Sequence, residues 1–213
     1  MMTRTAPSPS LLRQPWLIIA PATLVLVVLG FGYSGAGTAS GVDAAVQGWL
    51  ERPVFAVYLI ARVIDFGAEP VGALLVLVAL GSACLFSHRP RLAVLAVVGP
   101  ASTIAATALL KPLVDRTING GHLSFPSGHT AFATAVGLVA ALLLTNVLGL
   151  GRVIGGFLVL AIGSAAALAM GWAQVVLGSH YPTDAVGGWC TALIVVPTAG
   201  WLLELYWRGR VSG

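Results

Sequence analysis

The sequence predicts an all-α, polytopic membrane protein: a bundle of about six transmembrane helices with a short interfacial helical segment between the first and second. Three observations predict it. Hydrophobic residues fill 58% of the 213 positions and charged residues only 8%, against roughly 25% charged in an average soluble domain. Mean hydropathy is +0.95. The apolar residues also come in long runs, and the short segments between them gather most of the ionisable groups. Length alone allows one or two soluble domains, but crossing-length runs follow one another here, so residues 1–213 read as a single integral-membrane domain.

The chain opens with Arg4 and Arg13 ahead of the apolar run Trp16–Tyr33. A secretory signal has the same basic start, but no small-residue cleavage site closes a short apolar region, so the run is expected to stay as a span behind a cytoplasmic tail, residues 1–15. With about 18 to 25 apolar residues per crossing, further spans fall near Val71–Phe86, Leu92–Leu110, Thr130–Leu148, Val153–Leu177 and Ala185–Tyr206, and residues 207–213 form a second cytoplasmic tail. Ser34–Pro70 carries Asp43, Glu51, Arg52, Arg62, Asp65 and Glu69 among glycines, which is too much charge for a crossing. It is expected to form one or two short helices at the interface. Val54–Ile64 within it is apolar but short, and Asp65 and Glu69 read as a solvated outer face.

Gly151 with Gly155, and Gly187 with Gly188, are small residues of the kind that let membrane helices approach closely. Cys84 and Cys190 lie singly inside apolar runs, giving neither a metal framework nor a disulfide. Trp16, Trp172, Trp189, Trp201 and Trp207 lie mostly toward span ends, as in an aromatic belt.

Six spans place both termini on one side, and the distribution of positive charge chooses the side. With the termini cytoplasmic, the inside holds Arg4, Arg13, Arg89, Arg91, Arg152, Arg208 and Arg210 against Glu204. The outside holds Arg52, Arg62, Lys111 and Arg116 against Asp43, Glu51, Asp65, Glu69, Asp115 and Asp184. The segments Lys111–His129 and Gly178–Asp184 therefore face outward. The net charge of +4 is scattered singly between apolar runs, which excludes a nucleic-acid stripe.

Those two outward segments hold the chemistry. The first runs from Lys111 through Arg116 to Pro126-Ser127-Gly128-His129, and the second from Gln174 through His180 and Pro182 to Asp184. Both end where a helix begins, and the unpaired N–H groups of a helix start favour an anion such as phosphate. Lys111 and Arg116 add positive charge at the same level, and a guanidinium grips two phosphate oxygens at once. His129 and His180 exchange protons near neutral pH. Asp184, four residues after His180, can turn back to the imidazole, fix its tautomer and leave the other nitrogen free to attack phosphorus. His129 then acts as general acid to the leaving lipid oxygen. His122, in a Gly-rich loop, reads as a surface or lid residue.

These residues resemble the signature of the type 2 phosphatidic acid phosphatase family, membrane lipid phosphatases related to vanadium haloperoxidases. The family's first motif is a lysine followed seven residues later by Arg-Pro, its second Pro-Ser-Gly-His, and its third Ser-Arg, five residues, His, three residues, Asp. The resemblance implies a metal-independent reaction without a cofactor, through a phosphohistidine at His180, with Asp184 orienting it and His129 protonating the leaving group. Lys111, Ser127 and Gly128 would hold the phosphate. Two positions depart: the first motif's arginine falls on Ile118 and the third motif's on Gln174. Losing one such contact costs about 1.5–3 kcal/mol, so the phosphate site is expected to be rebuilt around Arg116 or His122, with Gln174 beside it, or to bind phosphate weakly.

The expected function is extracytoplasmic removal of phosphate from a lipid in the bacterial cytoplasmic membrane. Polyprenyl diphosphate of cell-wall synthesis is the first substrate expectation, with phosphatidylglycerophosphate or phosphatidic acid behind it. The alternative is a weak or inactive relative that binds or moves a phospholipid headgroup. A small-solute transporter would carry charge near mid-membrane, whereas here it clusters at span ends. Expected partners are the lipid substrate and surrounding lipids, with no nucleic acid; the sequence sets neither the lipid nor the oligomeric state.

Overall fold

A computed structural model describes residues 15–50 and 54–211. Arg4 and Arg13 of the expected N-terminal tail, and Glu51 and Arg52, lie outside the described residues. The helices are α1 (Trp16–Gly32), α2 (Gly41–Leu50), α3 (Phe55–Phe66), α4 (Pro70–Phe86), α5 (Pro90–Val114), α6 (Gly128–Val147), α7 (Arg152–Val176) and α8 (Pro182–Val211). Two-residue strands, β1 (Thr117–Ile118) and β2 (His122–Leu123), pair antiparallel between α5 and α6.

Four helices, α5 to α8, are long and apolar enough to cross a membrane, and α3 with α4 forms a broken pair bent by 61° that would make a fifth span. α1 is apolar but has only 17 residues. The expectation of about six crossings thus resolves into four long helices, one bent pair and one short apolar helix. Ser34–Pro70 does fold as two short helices, α2 and α3. α8 continues through the residues expected to form a C-terminal tail, to Val211. Phe31, Phe86 and Leu168 are 82%, 85% and 74% exposed, an apolar exterior that needs lipid rather than water around it. The chain is a multi-pass membrane protein.

Local sequence sets the helix boundaries. Proline opens α4, α5 and α8, where its missing N–H costs nothing. Asp115, with a left-handed φ of 55°, ends α5, and Gly178, with φ of 68°, follows the end of α7. At the α3–α4 corner a Cβ on Gly72 would overlap the Phe66 carbonyl.

α6 is the central helix, packed by α5, α7 and α8. Ala135, Leu138, Val139 and Leu142 bury against Leu95, Val159, Leu193 and Val196. Gly163 admits Leu138, and Gly187 and Gly188 admit Phe125 and the Ser127 carbonyl, so the last two pack closely as expected. Gly155 meets Thr145 and Leu150 at ordinary distance, and Gly151 meets nothing within 4 Å. Cys84 and Cys190 are buried and unpaired.

One end of the bundle collects the last turns of α1, α5 and α7, the first turns of α6 and α8, and the short helices α2 and α3. Arg89, Arg91, Arg152, Arg208 and Arg210 lie toward the other end, where the Arg91 guanidinium sits over the Trp207 ring at 5.4 Å. This is the charge separation that the sequence showed along the chain.

Candidate active site

Lys111 occupies the last turn of α5 and donates from Nζ to the Leu123 carbonyl at 3.0 Å. The chain then passes through the β1–β2 hairpin to Ser127, the N-cap of α6. Ser127 is fully buried, and its Oγ accepts from Thr130 N at 3.3 Å and Thr130 Oγ1 at 3.1 Å. Its own N–H donates to the Asp184 carbonyl at 2.9 Å, which ties the start of α6 to the start of α8. The serine thus works as a cap, and the next two residues, Gly128 and His129, bring first-turn N–H groups to the site.

His180 is 7% exposed and sets Nδ1 at 3.4 Å from Asp184 Oδ2. The same Oδ2 accepts the Tyr181 N–H at 2.9 Å. Asp184 Oδ1 accepts from Arg116 Nη1 at 2.7 Å. The carboxylate is therefore held from both sides, and His180 Nε2 carries no hydrogen bond among the described residues. Such a pair fixes the tautomer that leaves Nε2 with its lone pair.

Arg116 is wholly buried. Beyond Asp184, Nη1 donates to Thr183 Oγ1 at 2.7 Å and Nη2 to Asp43 Oδ2 at 2.5 Å. The Tyr33 and Tyr181 rings cover it at 4.0 and 4.2 Å. Asp43 also accepts from Thr183 N at 3.0 Å and from Ser40 Oγ at 2.9 Å. Sequence reading set Arg116 on the phosphate; in the structure its two terminal nitrogens are bonded to two carboxylates and Thr183, two rings cover it, and its enclosed Nε carries no hydrogen bond among the described residues. Burial alone would push the Asp43 carboxyl up, but the Arg116 guanidinium and the Thr183 and Ser40 donors outweigh it and hold the carboxyl below its ordinary range.

His129 lies on the other side of the site, with its side chain 37% exposed. Its Nε2 is 3.7 Å from Asp65 Oδ1, and it lies within electrostatic range of His180, Lys111 and Glu69. Lys111 lies within the same range of Asp184. Asp65 is 6% exposed and not on a solvated face, a correction to the sequence reading. Gln174 is also buried, and its Nε2 donates to Asp65 Oδ1 at 2.5 Å, so glutamine anchors a carboxylate from α3. Arg62 Nη1 donates to Asp65 Oδ2 at 3.1 Å and lies 3.5 Å from Glu69 Oε1. His122 is exposed on β2 and stays outside this group.

The sequence model of the PAP2 superfamily matches residues 54–207. The chain belongs to the PAP2 superfamily. Its fold is similar to the crystal structure of "the first transmembrane PAP2 type phosphatidylglycerolphosphate phosphatase from Bacillus subtilis", with a TM-score of 0.69 and 19% identity, over 90% of this chain and 96% of that one. No curated protein matches.

Among the PAP2 motif positions, Lys111, His129, His180 and Asp184 meet at one end of the bundle. Ile118 does not join them: it is a buried residue of β1 that lines a cavity of about 490 Å³ with Asn119 and Tyr181. An apolar groove of about 640 Å³ runs between α2, α7 and α8, past Trp172, Pro182 and Trp189. Neither cavity is lined by His129, His180 or Lys111. Sequence reading missed Asp43, Thr183 and Tyr33 as partners of Arg116, and Asp65, held by Arg62, as the partner of His129 and Gln174. Their one visible signal was charge inside a segment too short to need it.

Proposed function

We propose that this PAP2 protein is a lipid phosphatase that works on the extracytoplasmic face of a bacterial cytoplasmic membrane, with both termini cytoplasmic. The observation that carries it is the pairing of His180 with Asp184, itself locked by Arg116, opposite His129 and Lys111. His180 Nε2 attacks phosphorus, the bond from phosphorus to the lipid oxygen breaks, and His129 delivers a proton to that oxygen. Water then cleaves the phosphohistidine, releasing inorganic phosphate and restoring His180. Lys111 and the N–H groups of Gly128 and His129 hold the phosphoryl oxygens. No metal enters this scheme.

Polyprenyl diphosphate, phosphatidylglycerophosphate and phosphatidic acid are the candidate substrates. The fold neighbour is described as a phosphatidylglycerolphosphate phosphatase, which gives the second of these its support. The test is phosphate release by the purified chain in mixed micelles with chelator present, against all three lipids. Release abolished in His180→Ala supports the proposal. No release, or release unchanged in that variant, refutes it.

A second reading is favoured by Ile118 and Gln174: a chain that binds or moves a phospholipid headgroup without turnover. Lipid binding that survives His180→Ala, with no release by the natural chain, would establish it.

A further inference from the structure

The two arginines that a PAP2 phosphate site is expected to use are replaced here by Ile118 and Gln174, and both terminal nitrogens of the fully enclosed Arg116 are bonded to protein oxygens. A dianionic phosphoryl group held by Lys111 and backbone N–H groups alone would lack any bidentate partner. The described residues contain one other guanidinium at this end, Arg62 on α3. Its side chain is 49% exposed, whereas that of Arg116 is completely enclosed. Only Nη1 is engaged, by Asp65 and Glu69, and no bond to Nε or Nη2 occurs among the described residues. A guanidinium has five donors, so most of its fork remains open.

The position of Arg62 is set by the residue that departs from the motif. Gln174 donates to Asp65 Oδ1, the same oxygen that lies 3.7 Å from His129 Nε2, and Arg62 holds Oδ2. One buried carboxylate thus spaces Arg62 from His129. An arginine at 174 would instead pair with Asp65 and compete with Arg62 for it. Glutamine is the neutral donor that fixes the carboxylate and leaves the guanidinium of α3 to face outward.

We propose that Arg62 is the phosphate-binding arginine of this chain, carried on α3 instead of at the motif positions and set beside His129 by Asp65 and Gln174. The substrate group it takes is a phosphoryl oxygen pair, from a lipid phosphate or from free phosphate. The proposal rests on the phosphatase assignment above, and the two fail separately in the following experiment.

Full-length chain in micelles is titrated with orthovanadate, a phosphate mimic, by calorimetry, and assayed for phosphate release. Arg62→Ala should raise the vanadate Kd and the lipid KM about 10- to 100-fold, the effect of removing one charge-assisted contact, measured at a temperature where the variant remains folded in micelles. Arg62→Lys should recover part of the affinity, because a point charge replaces the fork. Asp65→Asn should weaken vanadate binding as well, since it unpins Arg62. Vanadate affinity and KM unchanged in Arg62→Ala, with release still abolished in His180→Ala, overturns the Arg62 proposal alone. Vanadate binding that depends on Arg62, with no His180-dependent release, overturns the phosphatase assignment and keeps the site. A chain that neither binds vanadate nor releases phosphate overturns both. A weakened Kd in Arg62→Ala that is matched by an equal loss in Arg208→Ala, at the opposite end, overturns the proposal as nonspecific attraction.

Discussion

Replacing Arg116 by lysine distinguishes a positioning arginine from a phosphate-binding one. In the structure three bonds of 2.5 to 2.7 Å leave the two terminal nitrogens toward Asp43, Thr183 and Asp184. A lysine carries one ammonium at the end of a flexible stem, which reaches one carboxylate but cannot bridge two, and it stacks less well between Tyr33 and Tyr181. The other buried carboxylate is then left without its partner, a loss of about 3–5 kcal/mol. At about 2–4 °C per kcal/mol for a domain of this size, Tm should fall by roughly 6–20 °C. kcat should fall with it, because Asp184 is no longer held against His180. The assays are thermal unfolding in micelles and steady-state phosphate release. An unchanged Tm with a rise confined to KM would place Arg116 on the phosphate and refute the buried-web account.

The Asp43 carboxyl ionises below its ordinary range in the folded chain, so its contribution is present above the unfolded-state pKa and is lost as pH falls through the lower folded-state pKa. Asp43→Asn should therefore be less stable than the natural chain at neutral pH, with the gap closing on strong acidification; a gap independent of pH would contradict the assigned charge. Gly188→Ala puts a Cβ 2.4 Å from the Ser127 carbonyl, and should cost about 1–3 kcal/mol and lower phosphate release by moving the α6 cap. Gly81→Ala, where nothing lies within 4 Å, is the control; equal losses in the two variants would show that close approach at Gly188 is not what matters.

The parts legible in the sequence were those that repeat or sit close together along the chain. Apolar runs announced the long helices, and the four-residue spacing of His180 and Asp184 announced their pairing. Distance along the chain hid the rest. Arg116 meets Asp43 across 73 residues and Gln174 meets Asp65 across 109, and no periodicity or local spacing encodes such a contact. Reading Arg116 as a phosphate ligand followed from its charge and level; only its enclosure by two carboxylates and two tyrosines shows that the charge is already answered.

The misreading of Asp65 as solvated has a physical origin too. Interrupted by Arg62 and Asp65, an apolar run of that length looks like a helix lying in the interface with its charges in water. The fold instead packs α3 against α7, with Ala61 and Asp65 buried. A carboxylate so placed needs donors, and Gln174 on α7 and Arg62 one turn earlier on α3 supply them. The glutamine that looked like a lost phosphate contact is thus required by the acid opposite it. The substitution at position 174 is explained by the acid that faces it across the α3–α7 interface, and in our proposal the charge missing from α7 stands on α3.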